Sequence, residues 1–282
     1  MTRAVPAAFS RYGGKHAMLP VIIPLLPAHE CWLEAFAGAA WVTLAKPPAA
    51  LETLNDLDDG VVNFYRVLRS PDQLSKLQAL LEQTPYARAE MTACRGTWPA
   101  AADPVEKARA WFVTARMCVN GSPHAGGWSQ SHQRGSWAIS KWQSAIAGLP
   151  AVHERLKNVQ IEHKDWRPLL GMHNAKDCLL YADPPYVLST REGSDRYEHE
   201  LTDQDHRDLV TALLDWRGQA VVSGYAHPIY APLEKHGWKR IDTDVHCSST
   251  ANRPTARTRR RQESLWLNYD PNVVRGQMPL WR

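Results

Sequence analysis

Short apolar runs alternate with helical stripes along most of the chain. Residues 31–36 are an apolar run with one acid inside it, followed by the small residues Ala37, Gly38, Ala39 and Ala40. That order predicts a strand, a tight turn and a helix that Pro47 and Pro48 stop. Residues 51–54 predict a second strand, which closes on Asn55 and Asp56. Asp58 is placed to cap the next helix, whose apolar positions Val61, Val62, Tyr65 and Leu68 share a face. Leu74, Leu77, Leu80 and Leu81 continue in helical spacing.

From 84 to 150 the alternation breaks. Its middle, 121–136, is polar and glycine-rich and reads as a mobile loop. Trp111 and Trp142 fall in helical stretches and read as core. Alternation then resumes. Residues 159–162 and 178–182 predict strands, and Thr202 with Asp205 starts a helix striped by Leu209, Leu213 and Leu214. Residues 220–223 predict a strand, 228–235 a helix, and 238–245 and 264–267 two more strands. Alternating β and α elements imply a mostly parallel sheet covered on both faces. The last two strands, with no helix between them, are expected as an antiparallel edge pair. The division expected is a main α/β unit of residues 1–83 and 151–282, with 84–150 a smaller, mostly helical insertion.

Composition narrows the class. Among 282 residues 44% are hydrophobic and 22% charged, which excludes a wholly disordered chain and suits one large domain or two units. The apolar run 19–28 contains three prolines and is too short to span a bilayer or to resemble a secretory signal. Five cysteines without a C-x-x-C spacing suggest neither a zinc site nor a disulfide framework, so no metal and a reducing cytoplasm are expected.

The net charge of +4 is uneven: without Arg253, Arg257, Arg259, Arg260 and Arg261 the balance is 28 basic residues to 29 acidic. Residues 107–153 hold no acid but carry Lys107, Arg109, Arg116, Arg134 and Lys141. Local basicity of this kind suits an anionic polymer.

Three motifs carry candidate chemistry. Asp183-Pro184-Pro185-Tyr186 follows an apolar strand, at the end of the sheet where open α/β folds bind ligands. The prolines remove two N–H donors, leaving a carboxylate, exposed carbonyls and an aromatic ring. Such an acceptor-rich corner suits an exocyclic amine on a planar ring, although a rigid turn would use the same residues. Glu34-x-Phe36-x-Gly38 closes the first strand with little bulk, allowing a ligand close to the backbone, or simply a tight strand-helix turn. Asp56 lies 22 residues after Glu34, where nucleoside cofactors find an acid for the ribose, and where a helix cap is the ordinary alternative. Arg11-Tyr12-Gly13-Gly14-Lys15 could present an ammonium to a carboxylate or phosphate, or form a plain turn.

In this order, Tyr-Gly-Gly-Lys, Glu-Ala-Phe-Ala-Gly, Asn-Asp, an insertion and Asp-Pro-Pro-Tyr resemble the Dam-type, D12 class DNA adenine-N6 methyltransferases. The likeness runs over about residues 9–270, takes in 158–165, Ser223-Gly224-Tyr225 and 263–269, and is near to phage- and prophage-borne members. It implies a Rossmann-like sheet dependent on S-adenosylmethionine, with 84–150 as the target-recognition region. It implies that Asp183, Pro184, Pro185 and Tyr186 hold a flipped adenine, with Asp183 also near the methionine end of the cofactor. Lys15 would meet the cofactor's carboxylate, Asp56 its ribose and Asp165 its adenine amine, over a floor of Glu34, Phe36 and Gly38. The aromatic that many members carry four residues before the lysine is here Arg11, with Tyr12 one place later, and Ala40 stands for a frequent glycine.

Double-stranded DNA is the expected partner and no membrane is. The protein is expected as a monomer or homodimer. Arg116, Trp128, Gln133, Arg134, Trp137, Arg257, Arg259, Arg260 and Arg261 are the candidate DNA contacts. An RNA adenine-N6 methyltransferase and a catalytically silent DNA-binding relative are the alternatives.

Overall fold

The computed structural model describes residues 5–11, 13–121, 126–130, 137–191, 198–246 and 260–273. Seven strands form one sheet: β1 (Cys31–Glu34), β2 (Leu51–Asn55), β3 (Val159–Glu162), β4 (Cys178–Ala182), β5 (Gln219–Gly224), β6 (Lys239–His246) and β7 (Arg260–Leu267). Their spatial order is β3-β2-β1-β4-β5-β7-β6. The first five strands in that order run parallel; β7 is antiparallel to both β5 and β6. Chain order reverses between β1 and β4, so a crevice opens beyond their carboxyl ends.

The central strands are buried throughout, as a sheet covered on both faces requires. Side-chain alternation sorts them. Leu33, Leu180, Val222 and Trp266 face a core with Trp166, Leu209, Leu213 and Tyr230. Trp32, Tyr181, Val221 and Leu265 face another, with Met18 and Ile22. At the amino ends, Cys31 and Cys178 stand in register with their sulfurs 2.7 Å apart. His173 joins them, giving three donors where a closed structural zinc site takes four.

Most predicted elements are present, with shifted ends. The first strand stops at Glu34, because Gly38 and Ala40 turn the chain at φ 47° and 52°. The helix expected over 228–235 opens as a 3-10 turn, Pro228–Tyr230, before Ala231–Lys235. The last strand is longer than 264–267: pairing with β6 extends β7 back to Arg260, opposite His246. Thr202 and Asp205 form a complete capping box on the helix Asp203–Leu214.

The helices Arg88–Thr97, Pro104–Met117 and Trp137–Leu156 occupy the segment that breaks the alternation, and the last crosses position 150. They share one core with Asp59–Arg69 and Pro71–Glu82. Trp111 meets Phe9 edge to face at 4.7 Å, and Phe64 stacks on Phe112 at 5.1 Å. A Cβ on Gly60 would collide with the Trp111 indole, so this helix pair closes because residue 60 has no side chain. Trp111 and Trp142 are thus core, as their spacing predicts. No described helix is long and apolar enough to cross a membrane.

Candidate active site

The crevice beyond β1 and β4 is an open cleft of about 910 Å³, its solvent-filled mouth included. Its floor is made where three parallel strands end. Asn55, last in β2, donates to the carbonyls of Ala35 and Lys164, each at 3.0 Å, and accepts from Lys164 N at 3.0 Å. One amide therefore ties together the segments leaving β1, β2 and β3. Asp56 then accepts from Gly38 N at 2.7 Å and Asp58 N at 2.9 Å, which fixes the turn after β1. Burial raises the Asp56 pKa, against the pull of Arg11 and the two N–H groups. Arg11 pairs with Asp58 at 2.7 Å, and Asp58 caps the following helix at Val61 N.

Glu34 lies at the base of this floor, 2% exposed. Burial pushes its pKa up to about 8, although Thr43 donates both its N–H and its hydroxyl to the carboxyl. Glu34 therefore mostly keeps its proton at neutral pH.

Asp183 follows β4 and meets Lys15, whose ammonium lies 3.0 Å from Asp183 Oδ1 and 3.8 Å from Glu263 Oε2. The same ammonium donates to the Gly13 carbonyl at 2.7 Å and sits 4.9 Å from the Tyr186 ring centroid. Burial raises the Asp183 pKa to about 6; Lys15 opposes the rise, Glu263 adds to it and a Ser223 hydrogen bond opposes it. Asp183 is thus mostly ionised at neutral pH and gains its proton in mild acid. Tyr186 is buried behind it, with its hydroxyl 3.1 Å from Ser223 Oγ and donating to Glu263 Oε2 at 3.2 Å. The Tyr225 ring meets Tyr186 edge-on at 4.6 Å.

Of the predicted residues, Arg11, Lys15, Glu34, Phe36, Gly38, Asp56, Asp183 and Pro185 line one cleft. Pro184 and Tyr186 are buried beside it. Asp165 is not on the lining: it caps the helix Trp166–His173 by accepting from Arg167 N at 2.8 Å, and it pairs with the Arg167 guanidinium. Trp128 is half-buried against Tyr86, 4.9 Å between ring centroids, and the half-buried Arg116 donates to the Lys141 carbonyl at 2.8 Å. Tyr12, Gln133, Arg134, Arg257 and Arg259 lie outside the described residues, and Trp137, Arg260 and Arg261 are described in backbone only.

The structure adds residues that carried no role in the sequence reading. Trp41 and Trp166 wall the cleft, Asn55 fastens its floor, and Ser223 and Glu263 reach the Asp183 cluster from β5 and β7. Ser223 stands one residue before the end of β5 and Glu263 lies midway along β7, and nothing in their local sequence points to residues 15 and 183.

The lining carries five acids, Glu34, Asp56, Asp58, Asp183 and Glu198, against the lysine and arginine cations Arg11, Lys15 and Lys164, with one histidine, His199. With Glu34 protonated the carboxylates still outnumber those three cations. Such a cleft favours a ligand that brings positive charge to an apolar, aromatic-walled crevice. No curated protein matches the chain significantly. The family model for D12 class N6 adenine-specific DNA methyltransferases matches residues 12–236, four-fifths of the sequence, and to that family the chain belongs.

Proposed function

We propose that this adenine-specific DNA methyltransferase uses S-adenosylmethionine and methylates N6 of an adenine flipped out of duplex DNA. The observation that carries the reading is the acid-rich cleft at the β1/β4 switch point, continuous with Asp183. The donor fits this cleft on three counts. Trp41 Nε1 is buried on the lining without a hydrogen-bond partner among the described residues. Gly38 turns there with φ 47°, and a Cβ at that place would meet nothing within 4 Å, so the backbone is open to a ligand. The excess of acids suits a cation.

Lys15 would hold the donor's carboxylate, Asp56 its ribose, and Phe36, Trp41 and Gly38 its flanks. Asp165 would take its adenine amine by giving up the bond to Arg167. When bound, the donor supplies a methyl group activated on a sulfonium.

The protein's own part is acceptance and alignment. Asp183 and the Pro184 carbonyl each accept one N–H of the target amine, which turns the nitrogen lone pair out of the ring plane. Orienting two reactants is worth about 7–11 kcal/mol of barrier. Ionised Asp183 also favours the positive charge that grows on the amine. Flipping the base costs a few kcal/mol, which phosphate contacts offset. The segment 84–150, with Arg116, Trp128, Gln133, Arg134 and Trp137, is the proposed target-recognition region, and Arg257, Arg259, Arg260 and Arg261 the proposed phosphate contacts.

The test is methyl transfer to genomic DNA lacking adenine methylation, read by single-molecule sequencing. N6-methyladenine in one short motif is expected. No mark on DNA, with S-adenosylmethionine still bound, would overturn the reading in favour of an RNA substrate or a silent binding protein.

A further inference from the structure

Glu263 lies beyond the residues that the family match covers, in a strand of the antiparallel edge. It is nonetheless 9% exposed and directed into the Asp183 cluster. One oxygen, Oε2, takes both the Tyr186 hydroxyl at 3.2 Å and the approach of Lys15 at 3.8 Å. We propose that Glu263 is a positioning residue of methyl transfer: it shares Lys15 with Asp183 and anchors Tyr186, so that the cluster keeps a net negative charge. The inference rests on the reading of Asp183 as the acceptor for the adenine amine.

Charge is what Glu263 contributes. Lys15 and Asp183 alone, 3.0 Å apart, form a neutral pair whose carboxylate is largely spent on the ammonium. A second carboxylate drawing on the same ammonium brings the sum to one negative charge. That charge lies where a methyl donor arrives positive and where the attacking amine becomes positive, in surroundings that exclude much of the water. The Tyr186 anchor acts in the same direction. A hydroxyl held between Ser223 and Glu263 fixes the ring beside Lys15 and Tyr225. Glu263 touches neither methyl nor amine in this scheme; it acts through Lys15, Asp183 and Tyr186.

The signature is a pH profile. Lys15 near the amino terminus, Glu34 on β1, Tyr181 on β4, Tyr230 after β5 and Glu263 on β7 all act on Asp183 or feel its charge. Glu263 is among those that raise the Asp183 pKa to about 6. Removing its charge therefore lowers the pH at which Asp183 takes a proton, and the acid limb of kcat moves to lower pH.

The experiment compares wild type, Glu263→Gln, Glu263→Asp and Asp183→Ala, with folded fractions equalised by circular dichroism and urea unfolding. For Glu263→Gln kcat is expected to fall by about 10–100-fold with KM for DNA little changed, as for loss of a charge-stabilising group at a reacting centre. Its acid limb moves down, and Glu263→Asp recovers part of kcat. A normal kcat and an unmoved limb in Glu263→Gln, with Asp183→Ala inactive, would overturn the role of Glu263 alone. A fall in folded fraction with kcat per folded molecule and limb unchanged would also overturn it, leaving Glu263 a packing residue. Turnover retained in Asp183→Ala would instead remove the underlying reading.

Discussion

The carboxyl end of the sheet and the helical segment 84–156 handle charge in opposite ways. Around the helices several cations find acids of their own: Arg109 pairs with Glu106, Lys107 with Asp59, and Arg155 together with Lys46 encloses Glu52. At the sheet end one ammonium serves two carboxylates, and acids outnumber bases around an open cleft. The helical region spends its polar groups on closing a fold around Trp111 and Phe64. The cleft leaves charge over, and what remains is available to a ligand. The contrast separates residues whose loss should harm chemistry from those whose loss should harm stability.

The largest expected effect lies on the chemical side. Asp183→Ala removes the proposed amine acceptor and should lower methyl transfer by at least about 10³-fold while DNA binding persists, measured by label incorporation and by gel shift. Retained turnover would break the comparison at its strongest point. On the other side, Trp111→Ala empties a fully buried site between Phe9 and Phe64 and should cost about 3–5 kcal/mol of folding free energy. Urea unfolding should report that loss, with kcat per folded molecule unchanged; a drop in kcat per folded molecule would show that the helical core and the cleft are coupled.

How far these regions could be read beforehand follows the same division. Asp183-Pro184-Pro185-Tyr186 and Glu34-x-Phe36-x-Gly38 were legible because contiguous residues at a strand end set their own chemistry. Trp111 and Trp142 were legible as core because helical spacing carries that information. The acid-free stretch 107–153 overstates the free charge only at its start. Its first cations are neutralised by Asp59, far earlier in the chain, and by Glu106, one residue before the stretch begins. In the cluster of Lys15, Asp183, Ser223 and Glu263 the resemblance brought Lys15 and Asp183 to one cofactor, but not Ser223 and Glu263 to them. The cluster draws on four segments that meet only when β4, β5 and β7 lie side by side. Asn55 shows the intermediate case, since its place in an Asn-Asp pair is visible but the three strand ends that it joins are not.

A smaller effect concerns the basic stretch that ends in β7. Replacing Arg257, Arg259, Arg260 and Arg261 by Ala should weaken binding to all DNA sequences alike. The log–log dependence on salt should flatten by about 0.9 for each arginine that meets a phosphate. Titrations at several salt concentrations measure this. An unchanged slope would place this basicity with the self-neutralised charges of the helical region.

The finest distinction is between the two acids of the cleft that burial affects most clearly. Asp183 has Lys15 at 3.0 Å and stays near pKa 6; Glu34 has, among the described residues, Thr43 as its hydrogen-bond partner and rises to about 8. A carboxyl whose pKa is raised in the folded state holds its proton there while the unfolded chain has lost it. Between the ordinary carboxylate range and pH 8 the folded form thus binds more protons, and stability falls as pH rises. For Asp183 this fall is complete soon after pH 6; for Glu34 it continues to about pH 8. From pH 7 to 8, therefore, Glu34 still contributes to the decline and Asp183 no longer does. Glu34→Gln keeps an oxygen for the Thr43 donors but cannot ionise, so the decline in that interval should flatten and the variant should gain on wild type as pH rises. An undiminished decline would mean that Glu34 is already ionised at pH 7, and that the cleft holds one more full negative charge than its hydrogen bonds imply.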